Sequence, residues 1–147
     1  MFLFIPLVAI FIFFNLVVSL DTTSDGTLAV AQAEENVVGD SMLALHTFAS
    51  AYAQANPSFT GTALDSTIGS PTWYNRPASV ATYITGGQAY VYYTGPAQGL
   101  PAYLIAATKN VAGAGTNQGG VLISPGSITG TAGIPSQVPN NAVVLMP

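Results

Sequence analysis

Residues 80–94 read VATYITGGQAYVYYT, two runs rich in Val, Ile, Thr and Tyr separated by Gly86-Gly87. β-branched and aromatic side chains suit the pleated, half-buried surface of a strand. A two-residue Gly-Gly loop is a favoured connection for a tight hairpin. The pattern predicts strands over Val80–Thr85 and Gln88–Thr94. Closure on the two glycines sets the register. Tyr83 then lies opposite Tyr90, and Ala81 opposite Tyr92, on one face. Ile84 with Ala89, Thr82 with Val91 and Val80 with Tyr93 make up the other. Both faces carry large apolar groups, so one is expected to pack on helices and the other to need a cover.

Working towards the N-terminus, Ser58 to Pro77 shows no hydrophobic period and is expected to be an irregular excursion pinned down by Trp73 and Tyr74. Before it, Met42, Leu45, Phe48, Ala49 and Tyr52 follow the spacing of one buried helical face, capped near Asp40 or Ser41 and ended by Asn56-Pro57. An earlier helical stretch is expected from Thr27 through Glu34 and Glu35, weakened at Gly39. Towards the C-terminus, Gly95-Pro96 breaks the strand and Leu100-Pro101 opens a short apolar helix to about Lys109. Val111–Ala114 and Val121–Ser124 are expected to form a second hairpin across Gly115 to Gly120. Pro125–Asn141 reads as turn-rich loop and Ala142–Met146 as a terminal strand. The sum is an α+β domain of order α-β-β-α-β-β-β, with helices packed on an antiparallel sheet.

Phe2 to Leu20, FLFIPLVAIFIFFNLVVSL, has no ionisable side chain. As a helix it reaches roughly 28 Å, close to the ~30 Å hydrocarbon core of a bilayer. Residues 1–20 are therefore expected to be a transmembrane anchor, 21–26 (DTTSDG) a juxtamembrane linker, and 27–147 a single extracytoplasmic α+β domain. No basic n-region precedes the apolar run, which favours retention over cleavage as a signal peptide near Leu20. With no Lys or Arg beside the segment, orientation rests on Asp21 and Asp25, placed outside. In a bacterium that makes the protein a single-pass inner-membrane protein with its C-terminal domain in the periplasm.

Only 5% of the 147 residues are charged, and Arg76 and Lys109 are the sole basic side chains. Phosphate neutralisation needs clustered Lys and Arg, so nucleic acid is not an expected partner. The chain has no cysteine, which excludes disulfides, thiolate metal sites and a catalytic thiol. His46 is the single histidine, within reach of Ser50. A triad would require Asp65 to orient it and a serine nucleophile beside it, but no G-x-S-x-G elbow is present. Glu34 and Glu35 diverge by about 100° on a helix and do not chelate one ion together; with Asp40 they read as a solvated acidic face. Gly113 to Gly120 lacks the GK[ST] ending of a phosphate loop and reads as a glycine-rich turn. Asn56-Pro57-Ser58 is no glycosylation acceptor, because proline holds the middle position. No catalytic, cofactor-binding or metal-binding residue, no cofactor and no small-molecule substrate is expected. The one surface set apart as a partner interface is the tyrosine face, Tyr83, Tyr90 and Tyr92.

An uncharged apolar run followed by NPSFTG (56–61), PTWY (71–74), YITGGQAYVYYTGPAQGL (83–100), GVLISPG (120–126) and IPSQVPNNAVVLMP (134–147) resembles the plasmid-type PilM family of conjugative type IVb thin-pilus systems. The resemblance implies a small inner-membrane component of the pilus basal body or of the pilin transport and assembly platform. It implies other pilus assembly proteins as partners, pilin among them, and the bilayer through residues 2–20. It brings no catalytic residues. Two alternatives stand beside it: a minor pilin-like subunit, against which the absence of a charged leader with a glycine cleavage site and a following glutamate argues, and a periplasmic binding module released from a signal peptide.

Overall fold

The computed structural model describes residues 4–96 and 98–147, with side chains from residue 30 onward except at 97 and 132. The chain divides into two compact units, Met1–Glu34 and Glu35–Pro147. Helix α1 (Phe4–Ala55) supplies the described residues of the first unit and is the first element of the second. The expected linker at 21–26 and the two separate helical stretches around Gly39 are thus one helix. Each Ser, Thr, Asp or Gly lowers helix propensity by less than about 1 kcal/mol, whereas interrupting the helix forfeits backbone bonds and requires renucleation. The expected anchor, residues 2–20, lies outside the described side chains, and Phe2 and Leu3 lie outside the described residues altogether. Among the described residues no helix is long and apolar enough to cross a membrane.

The second unit is an α+β fold. After α1 come β1 (Gly61–Thr62), the one-turn helix α2 (Asp65–Ile68), β2 (Val80–Thr85), β3 (Gln88–Tyr93), α3 (Leu100–Thr108), β4 (Ala114–Gln118), β5 (Val121–Ile123), β6 (Thr131–Ala132) and β7 (Val143–Leu145). They form one seven-stranded sheet of order β1-β2-β3-β7-β4-β5-β6, with every neighbouring pair antiparallel. The β2–β3 register is the one that the Gly-Gly turn dictates, with Tyr83 opposite Tyr90 and Val80 opposite Tyr93.

The second hairpin differs from its expectation. Its first strand is Ala114–Gln118 rather than Val111–Ala114, and its turn is only Gly119-Gly120. Both glycines have positive φ (63° and 88°), as Gly86 and Gly87 do (58° and 74°), so the two hairpins close on the same kind of turn. Gly115 pairs with Val144 within the strand, and the position takes glycine because a Cβ there would stand 2.5 Å from the backbone oxygen of Ile123. That near approach of two backbones is what its sequence of small residues permits, and it disguises a strand as a loop. β1 and β6 are two-residue edge strands drawn from segments without a period, too short to leave any alternation in the sequence.

Terminal strand β7 lies at the centre of the sheet, pairing with β3 on one side and β4 on the other. It joins the two hairpins, so the sheet's apolar residues fall on two sides. On one, Met42, Leu45, Ala49 and Ala53 of α1 and Leu100 and Leu104 of α3 pack on Ile84, Val91, Ala114 and Leu145. Each such Leu or Ile contributes about 1.5–3 kcal/mol through removal from water. Gly39 has a role here that its propensity hides: a Cβ would collide with the Tyr103 ring, so glycine lets α3 lie against α1. On the other side, Tyr83, Tyr90, Leu122 and Val144 meet Ile134, Val138 and Ala142.

Candidate functional site

The tyrosine face owes its position to the hairpin register, which sets Tyr83 and Tyr90 side by side on the sheet surface away from the helices. Tyr83 is only 8% and Tyr90 5% exposed. Tyr92 is half-buried at the margin. Tyr83 and Tyr90 are therefore mostly interior, and what lies over them is the chain's own segment 134–142 rather than a helix. That segment reads as loop, since Pro135 and Pro139 turn it and a proline with two polar residues separates Ile134 from Val138 and Val138 from Ala142.

Polar side chains hold the cover in place. Asn117, itself buried, donates from Nδ2 to the carbonyls of Val138 (3.0 Å) and Pro139 (3.1 Å). Its Oδ1 accepts from the Gly120 N–H at 2.9 Å, and Asn140 Oδ1 accepts from the Gly119 N–H at 2.9 Å. Backbone bonds from Ile134 to Gly120 and between Asn117 and both Asn141 and Ala142 complete the attachment. Satisfied buried amides of this kind specify one arrangement, because each unpaired group would carry a desolvation penalty. Tyr90 donates from its hydroxyl to Gln88 Oε1 at 2.9 Å, and burial raises its pKa above the usual tyrosine value.

Between the Gly119-Gly120 turn and the cover lies a depression of about 300 Å³, lined by Asn117, Gly119, Gly120, Ile134, Ser136 and Asn140 among others. None of its lining residues is ionisable. The two glycine N–H groups that would meet an anion are already bonded to Asn117 and Asn140, so this turn does not cradle a phosphate.

The other sequence candidates are held apart. His46 Nε2 lies 3.4 Å from Ser50 Oγ, and burial lowers its pKa below the ordinary histidine value. Asp65, the acid that a triad would need, is engaged elsewhere. Its Oδ1 accepts from Arg76 Nε at 2.8 Å and also from Nη2, which donates in addition to the Ala63 carbonyl at 3.2 Å. Glu34 and Asp40 are exposed, as a solvated acidic face requires, whereas Glu35 is half-buried. Glu35 Oε1 accepts from the Gly99 N–H at 2.9 Å, at the positive N-terminal end of α3. Asp40 accepts from the Tyr103 hydroxyl, and that bond, ahead of burial, raises the Tyr103 pKa. Both carboxylates tie α1 to α3. Among the described residues no three His, Cys, Asp or Glu side chains gather to hold a metal ion.

Trp73 and Tyr74 divide the anchoring role assigned to both. Tyr74 is the anchor: its hydroxyl donates to the Ser41 carbonyl at 3.1 Å, and its ring meets Phe48 edge-on, with centroids 6.0 Å apart. Trp73 also meets Phe48 edge-on at 6.5 Å, yet 74% of it stays exposed. Sequence reading did not single out Arg76 as a pin; its status as one of two basic residues in the chain was the available signal.

A family model described as PilM matches residues 9–146. No curated protein matches the chain. Among solved structures, one assigned to PilM from Pseudomonas aeruginosa 2192 is 29% identical, covering 77% of this chain and 94% of that one, with a TM-score of 0.49. Another, assigned to PilM from Escherichia coli B7A, is 16% identical, covering 79% of this chain and 93% of that one, with a TM-score of 0.59.

Proposed function

The chain belongs to the PilM family, and on that premise we propose that it is a non-enzymatic accessory or structural component of a type IV pilus biogenesis machine, anchored in the bacterial inner membrane by residues 2–20 with its α+β domain in the periplasm. The observation that carries this reading is the extent of the family match, residues 9–146, which takes in part of the apolar run as well as the folded domain. The use made of the ionisable groups supports it. Glu35, Asp40, Asp65 and Arg76 are each bonded within the fold, which gives each a structural use. Other pilus assembly proteins, pilin included, are the partners this reading names.

Deletion in the host should abolish pili seen by electron microscopy, with restoration by the full chain; normal piliation in the deletion strain would overturn the proposal. For the anchor, the protein should stay with membranes after alkaline extraction and keep its N-terminal apolar run on Edman sequencing. A mature chain starting near Leu20 would replace the anchored reading with that of a released periplasmic module. One observation favours the minor-pilin reading: α1 is a single helix from Phe4 to Ala55, followed by an antiparallel sheet, as in a pilin's layout. Recovery of the chain in sheared pili would establish it.

A further inference from the structure

We draw no further inference here: the strongest candidate, the exposed apolar surface of Trp73 on the excursion between β1 and β2, carries nothing because nothing in the structure shows what covers it.

Discussion

The two sides of the sheet are both buried, but by different means. On the helix side, regular elements with a legible period bring Met42, Leu45, Leu100 and Leu104 onto the strands. On the tyrosine side, an irregular segment does the same work with Ile134, Val138 and Ala142, and is fastened by carboxamides rather than by its own secondary structure. Helices satisfy their own backbone groups and only need an apolar stripe. A covering loop cannot, so each buried carbonyl and N–H has to find a specific partner. The helix side should therefore depend on volume, and the tyrosine side on hydrogen bonds.

Leu104→Ala gives the largest expected effect. The side chain is fully buried, and its removal should lower stability by about 3 kcal/mol, seen as a shifted urea midpoint with unchanged slope. Asn117→Ala tests the other side. It strands the Val138 carbonyl and the Gly120 N–H and leaves the Pro139 carbonyl to the Ala142 N–H alone, so a loss of about 2 kcal/mol is expected. Hydrogen exchange should accelerate in 134–142 before it does in α3; uniform acceleration would show that the cover is not a separate cooperative piece.

Gly39→Ala should destabilise by about 1 kcal/mol despite alanine's higher helix propensity, because the Tyr103 ring must move. Spectrophotometric titration should then find the Tyr103 pKa lowered towards the ordinary value as its bond to Asp40 is lost. A more stable variant would mean that α3 does not press on α1 at this point. Thr82→Val runs the opposite way. Its hydroxyl is buried among helix-side residues without a hydrogen-bond partner, so replacement by a methyl should stabilise by about 1 kcal/mol and raise the melting temperature.

The smallest expected effect is confined to alkaline solution. Tyr90 has its pKa raised by burial, so the folded state holds its proton more tightly than the unfolded chain. Its contribution is complete below about pH 10, the unfolded value, and is lost as pH rises through the folded pKa. Tyr90→Phe should flatten the alkaline limb of a stability–pH profile while leaving the slope near neutrality alone. An unchanged alkaline limb would mean that Tyr90 ionises as freely in the fold as outside it.

What was legible in advance follows the range of the interactions involved. The β2–β3 register, the extent of α3 and the existence of β7 depend on residues within one turn or one hairpin, where period and glycine placement speak directly. The second hairpin was displaced in expectation because strand AGTNQ has no β-branched alternation; its small residues answer to a neighbouring backbone, not to a local preference. The bonds that Glu35 and Asp40 make are likewise not local. Glu35 meets Gly99 across 64 residues and Asp40 meets Tyr103 across 63, and no local pattern records such a pairing.

The sequence by itself determined the family, the α+β class, the tyrosine hairpin and the identity of both its faces. The family follows from a likeness of whole sequence strings, and the rest from periodicity and adjacent turns. Only the tertiary structure decided that β7 joins the two hairpins at the centre of the sheet, and that segment 134–142 closes over Tyr83 and Tyr90. The physical reason is that strand order and loop burial are settled by which distant backbone groups satisfy one another. Many orders keep the same alternating pattern; the one adopted pairs β7 with β3 and β4, and Asn117 and Asn140 fasten the segment that leads into it.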